Sequence, residues 1–279
     1  MPRGVPKSGF RMTKKRMAKA NVVAVAPQPV VESRFSINER FGFVSDMVMM
    51  LARGDQASVV VTGPGGLGKS FTVTKTLADA GFLDISDVDS LAIGTKVPKS
   101  FTVIKGYSTP KGLYRTLFEN RNGVIVFDDC DSVLRDPVSL NLLKGALDSY
   151  ERRIISWRAD IRDEDLPTSF EFRGRVIFIS NLGSNQIDQA IISRSMAVDL
   201  TMTTQQKVDR MRHLIETSKD FLAEHIHAHK MEALNLVEEL QDKVKELSLR
   251  TLIQVTKIRK SRSEEHTSEL QSPCNLVCR

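Results

Sequence analysis

The sequence predicts an α/β fold: a parallel sheet with helices on both faces, followed by a small C-terminal α-helical domain. Three observations carry this. Short apolar runs rich in Val, Ile and Phe alternate with stretches of helical periodicity, the mark of crossover-linked parallel strands. The first of these runs enters a glycine-rich turn that opens a helix. From Thr203 onward the pattern becomes helical only.

Taken in order, Ser36-Ile37-Asn38-Glu39 reads as a capping box, with Phe41, Val44, Val48 and Leu51 at helical spacing and Gly54 as the stop. Ser58–Thr62 is an apolar strand, and a helix is expected from Lys69 to Ala80, closed by Gly81. Residues 82–100 are polar and carry no clear period. A strand starts at Phe101, and Thr109-Pro110 begins a helix with Leu113 and Leu117, since proline suits the first helical position. "GVIVFDD" from Gly123 is a buried strand; Asp136-Pro137 starts a helix with Leu140, Leu143 and Leu147 on one face. Arg152–Gly174 alternates at both ends around a polar turn, which predicts a β-hairpin. "RVIFISN" from Arg175 and "AVDLTM" from Ala197 complete the strands.

The 279 residues, 41% of them hydrophobic, suffice for one large α/β domain or two smaller ones. No apolar run approaches the roughly 20 residues of a membrane span. "NVVAVA" (Asn21–Ala26) is too short for a secretory signal and runs into Pro27 and Pro29. Charge is unevenly placed. Arg3, Lys7, Arg11, Lys14, Lys15, Arg16 and Lys19 give the first twenty residues +7 with no acid, against a net +6 for the whole chain, so the remainder sums to −1. A basic arm on a near-neutral body suits nucleic acid, or is a solvated leader. The three cysteines, Cys130, Cys274 and Cys278, form neither a disulfide framework nor a zinc spacing, which fits a reduced cytoplasmic setting. "RSEEHTSELQS" (Arg262–Ser272) resembles the translation of a sequencing-library adapter, so residues 262–279 are expected to be a non-native tail. The expected organisation is an arm and linker over 1–35, an α/β core over 36–202 and a helical domain over 203–261.

Gly63, Pro64, Gly65, Gly66, Leu67, Gly68, Lys69 and Ser70 match G-x-x-x-x-G-K-[ST] in full, between a strand and a helix. Glycines let backbone N–H groups turn inward around phosphates. Lys69 would reach the β- and γ-phosphates, and the Ser70 hydroxyl would bind Mg²⁺. In "VIVFDDCD", Asp128 at the end of a buried strand would hold the Mg²⁺ shell, and Asp129 would polarise the attacking water. The alternative is a strand that merely ends in a polar turn. ATP with Mg²⁺ is the expected ligand.

The order of these parts resembles the AAA+ ATPases over roughly residues 36–261. The resemblance implies a P-loop NTPase sheet with a helical lid, and ATP hydrolysis at subunit interfaces of a ring. It implies that Asn181, at the end of "RVIFISN", helps place the water. It implies that Arg194, in "DQAIISRSMAVDL", reaches the γ-phosphate of a neighbouring copy. It also implies that Arg250, in "LSLRTLIQV", acts in cis from the lid. Each arginine offers planar donors to a transferring phosphate. Where the family usually has Asp-Glu, this chain has Asp128-Asp129, one methylene shorter, which puts fast turnover in question. No N-K-x-D guanine-reading motif follows the loop and no L-S-G-G-Q is present.

In some AAA+ groups a hairpin at this place faces the central pore. Arg152, Arg153, Arg158 and Arg162 would suit phosphates and Trp157 a base; the alternative is a hairpin packed on the core. "PRGVPK" is a single imperfect likeness of a minor-groove hook. In "EHIHAH", His225 and His229 would share a face if helical. The expected protein is an ATP-driven motor or loader of phage or bacterial type, most at home on DNA. The alternatives are a slow ATP-dependent switch and a protein remodeller, for which Tyr107 in "KGYSTPKG" is the nearest approach to a threading loop.

Overall fold

The computed structural model describes residues 33–86, 99–158, 166–244 and 246–264, with side chains through 261. The basic arm, the hairpin tip with Arg162, and nearly all of the 262–279 tail lie outside the described residues.

The chain opens with α1 (Ile37–Arg53), capped as expected: Ser36 and Glu39 exchange side-chain and backbone hydrogen bonds, and Gly54 closes it at φ 98°. Then come β1 (Ser58–Thr62), α2 (Lys69–Asp79), β2 (Leu83–Asp84), β3 (Ser100–Lys105), α3 (Pro110–Glu119) and β4 (Val124–Asp128). Next are α4 (Ser132–Arg135), α5 (Pro137–Ala146), the hairpin strands β5 (Ile154–Ser156) and β6 (Ser169–Glu171), β7 (Arg175–Ile179), α6 (Gln189–Ile192) and β8 (Met196–Asp199). Three helices finish the described chain: α7 (Thr204–Thr217), α8 (His227–Glu239) and α9 (Leu249–Glu264).

Six strands form one sheet in the order β2-β3-β4-β7-β1-β8. Every pairing in it is parallel. The carboxyl ends of its strands therefore share one edge, where ligands of open α/β sheets bind. Side chains alternate across the sheet with period two. Val60, Ile125, Phe127, Val176 and Phe178 join the cluster under α3 and α5. Val59, Val61, Val124, Val126, Ile177 and Ile179 join the one under α1 and α2. Phe127 and Phe178, adjacent in register, stack at 5.6 Å between centroids. Fully burying one such side chain contributes about 1.5–3 kcal/mol, so both faces are well supported.

The three C-terminal helices close around an apolar cluster of their own that includes Val208, Met211, Leu234, Val237 and Leu252. Two buried arginines tie α1 to the exit of β8 and to α7. Arg40 Nη1 donates to the carbonyls of Asp199 (3.1 Å) and Thr201 (2.7 Å), fixing the exit of β8. Arg210 of α7 lies 3.9 Å over the Phe41 ring and donates to Asn38 Oδ1.

Several expectations need correction. Residues 82–100 contain a two-residue strand, β2, which aperiodic sequence could not announce. On α5 and its C-cap the expected Leu140, Leu143 and Leu147 all pack on the core, Leu140 only partly buried, and Leu142 joins them. His225 lies in the turn before α8, not on a helical face with His229. Among the described residues no group of His, Cys, Asp and Glu could hold a metal by itself. No helix there is long and apolar enough to cross a membrane.

Candidate nucleotide site

The glycine loop between β1 and α2 sits at the carboxyl edge, walled by the loops that follow β4, β7 and β8 and by the start of α9. Two glycines are obligatory. Gly63 has φ 130°, and a Cβ there would meet the Leu200 carbonyl carbon at 2.8 Å. Gly66 has φ 72°, and its Cβ would sit 3.0 Å from Ser248 Cβ. The Leu249 N–H donates to Gly66 O at 2.8 Å, so the first turn of α9 rests directly on the loop. Gly65 lies next to the Asn181 side chain.

β7 stands between β1 and β4, so the glycine loop and the acidic strand end are two strands apart. In register, Val61, Ile179, Asp128 and Lys105 lie on one level across four strands. That level brings the expected residues together. Ser70 Oγ donates to Asp128 Oδ1 at 2.7 Å. Lys69, 5% exposed, donates to the carbonyls of Gly63 and Pro64 and, at 2.8 Å, to Asn181 Oδ1. Asn181 Nδ2 in turn donates to Asp129 Oδ1 at 2.8 Å. A lysine, an amide and a carboxylate are thus linked in a chain across three loops.

The electrostatics are mutual. Burial pushes the Lys69 ammonium below its ordinary range, and the carboxylates of Asp129 and Asp128 pull it back up. Although Asp129 reaches solvent, partial desolvation and then the Asp128 carboxylate push its carboxyl above the ordinary range; Lys69 and Arg250 act in the other direction. Asp129 also holds a left-handed backbone, φ 54°, uncommon without glycine. Its N–H bonds the Ile179 carbonyl at 3.0 Å, which fixes the turn.

Two oxygen donors meet beside the glycine loop. Ser70 Oγ and the buried Asp128 carboxylate converge as hard oxygen donors, and the Lys105 ammonium stands 3.5 Å from Asp128 Oδ2, a cation already drawn to the spot. Arg250, exposed, lies near Gly66 and Asp129. Arg194 is elsewhere. Met196 pairs with Val59 at the amino end of β1, and Ser195 Oγ donates to Ser58 Oγ, so Arg194 occupies the opposite edge of the sheet. At about 3.3 Å per strand residue that is roughly 15 Å from its own glycine loop. There it donates to Ala190 O and pairs with no carboxylate among the described residues.

Two hairpin side chains follow the core-packed alternative. The Trp157 ring packs 5.9 Å from Tyr114, whose hydroxyl donates to Pro167 O, so the indole belongs to the core rather than to a base. Arg153 spends its guanidinium on the carbonyls of Ala146 and Gly174. Arg152 lies 3.7 Å from Glu171, and Arg158 is exposed. Sequence reasoning missed Lys105, Ser180 and Asp131. Lys105 was reachable by aligning the strand ends; the Asp131–Ser180 contact has no local signal.

No family model matches the chain. A relative from Enterobacteria phage T4, described as an uncharacterized 36.7 kDa protein in the nrdC-mobD intergenic region, is 30% identical over 187 residues, 62% of this chain and 53% of that protein. The chain therefore spans about half the length of the curated relative it matches.

Proposed function

We propose that the protein is an ATP hydrolase of AAA+ type that works as a ring of identical copies and acts on DNA. The observation that carries this reading is the convergence of Lys69, Asn181 and Asp129 in one hydrogen-bonded chain beside the Ser70–Asp128 pair. Lys69 binds the terminal phosphates, and the loop N–H groups orient them. Ser70 and Asp128 would hold Mg²⁺, which would neutralise charge on the phosphate oxygens. Asn181 places the attacking water, and Asp129 takes its proton. Arg250 reaches the phosphates from α9. Arg194, too far from its own loop, serves the site of an adjacent copy. The DNA assignment rests on the basic arm and on exposed Arg152 and Arg158. The phage relative agrees with work in a host cytoplasm.

A second reading has its own support. Asp129 is shorter than glutamate and is held through Oδ1 by Asn181. Such a site suits a slow ATP-dependent switch, on DNA or on a protein partner, that turns over once or less per binding event.

The test is ATP turnover by the full chain over a range of concentrations, with and without duplex and single-stranded DNA. Activity per subunit that rises with concentration and with DNA supports the motor. A burst of one turnover or less supports the switch. Absence of ATP binding removes both.

A further inference from the structure

The stretch Asp128-Asp129-Cys130-Asp131 carries a third acid for which the chemistry above has no use. Asp131 is not among the hydrogen-bond partners of Ser70 and Lys69 described above, and its carboxylate acts on Lys69 and Asp129 only through its charge. Its Oδ1 accepts from Ser180 Oγ at 2.6 Å. Ser180 immediately precedes Asn181 and is fully buried. The same hydroxyl oxygen accepts the Leu182 N–H at 3.0 Å. Because that N–H is a donor, the single hydroxyl proton must point the other way, to an acceptor. Asp131 is that acceptor, and its own backbone is held at the start of α4, where its carbonyl takes the Leu134 N–H at 3.1 Å.

We infer that Asp131 is a positioning residue: through Ser180 it fixes the turn that carries Asn181, and so sets where the Asn181 amide meets Asp129. The inference rests on the hydrolysis reading. Two rungs beside the Asn181–Asp129 bond join the ends of β4 and β7. One is Asp129 N–H to Ile179 O at 3.0 Å. The other is Ser180 Oγ to Asp131 at 2.6 Å. Asp129 belongs to the first rung, and Asn181 directly follows Ser180 of the second. Without the second rung the 180–182 turn keeps the Ser180 N–H to Val61 O bond, 3.0 Å, but loses the tie that the Ser180 side chain makes to the loop after β4. A displacement of about 1 Å at such a place can cost on the order of 100-fold in rate.

The experiment compares Asp131→Ala, Asp131→Asn, Ser180→Ala and the double alanine variant with wild type, measuring kcat, ATP-analogue affinity and melting temperature in the full chain. Asp131→Ala and Ser180→Ala are expected to lower kcat by about 10- to 100-fold, with affinity within about threefold. The double variant should be no worse than either single one, because both break one contact. Asp131→Asn keeps an oxygen acceptor and should stay within about threefold of wild type. Wild-type kcat in Asp131→Ala overturns the inference. So does a parallel loss of affinity and melting temperature, or full additivity in the double variant. Wild-type protein that binds ATP but never hydrolyses it refutes the hydrolysis reading instead, and the positioning role with it.

Discussion

Gly66→Ala probes the contact between the glycine loop and α9. The residue sits at φ 72°, a left-handed conformation that costs an L-residue about 1–2 kcal/mol. The new methyl would stand 3.0 Å from Ser248 Cβ and 3.4 Å from Ser248 Oγ, so the turn before α9 must shift. That shift strains the Leu249 N–H to Gly66 O bond, now 2.8 Å, which contributes about 0.5–1.5 kcal/mol. Together the loss is about 2–3 kcal/mol, or roughly 4–12 °C in melting temperature for a chain of this size. Nucleotide affinity should fall as well, by about 10-fold or more, because the loop N–H groups turn with Gly66 and Arg250 rides on the displaced turn. Thermal unfolding without ligand and titration with a fluorescent ATP analogue measure the two effects. A Gly66→Ala variant that melts and binds like wild type would refute both the loop conformation and its coupling to α9.

Gly42→Ala is the matched contrast. It lies inside α1 with nothing within 4 Å of a new Cβ, so it should stabilise by about 0.5–1 kcal/mol; a lower melting temperature contradicts that. Burial pushes Arg210 down to about 10, so bringing its charge into the fold costs on the order of 3 kcal/mol. Arg210→Met keeps the stem against Phe41 and discards the charge. It should hold or raise the melting temperature, and a fall beyond about 5 °C would mean that the ring and Asn38 outweigh the burial. The raised Asp129 carboxyl predicts that turnover fails on the acid side at a higher pH than an ordinary aspartate would give, since the base must be ionised. Arg250→Ala removes a charge that favours the carboxylate, so the acidic limb of kcat/KM should move up in pH; a downward move contradicts the assignment. The same raised value means that Asp129 favours folding only while protonated, and that contribution fades as pH rises through it.

Elements with local chemistry were readable from the sequence. Ser36 and Glu39, Thr109-Pro110 and Asp136-Pro137 announce helix starts through caps and proline geometry, and each helix begins there. The strands read as apolar runs because both faces of the sheet are covered. The glycine loop, Asp128, Asp129 and Asn181 are strand-end positions, so finding the strands located the site. What sequence could not supply is long-range. β2 exists because Leu83 and Asp84 pair with Ser100 and Phe101, not through any period of its own. Trp157 among arginines looks like a base platform until Tyr114, 43 positions earlier by its number, proves to occupy its face. Ser180 and Asp131 are 49 residues apart, and only the β4–β7 register joins them. The left-handed turn at Asp129 is likewise imposed by its bond to Ile179.

A hydrolytic site completed by a second copy, as proposed, can be probed by mixing two inactive variants. Lys69→Ala loses the phosphate contact but keeps Arg194; Arg194→Ala keeps an intact loop but lacks the arginine its neighbour needs. Each alone should be inactive, with Arg194→Ala still binding ATP. Combined in equal amounts, they should regain a substantial part of wild-type turnover, because some interfaces then pair an intact loop with an intact Arg194. Wild-type turnover by Arg194→Ala alone, or no recovery in a mixture shown to co-assemble, would contradict the shared site.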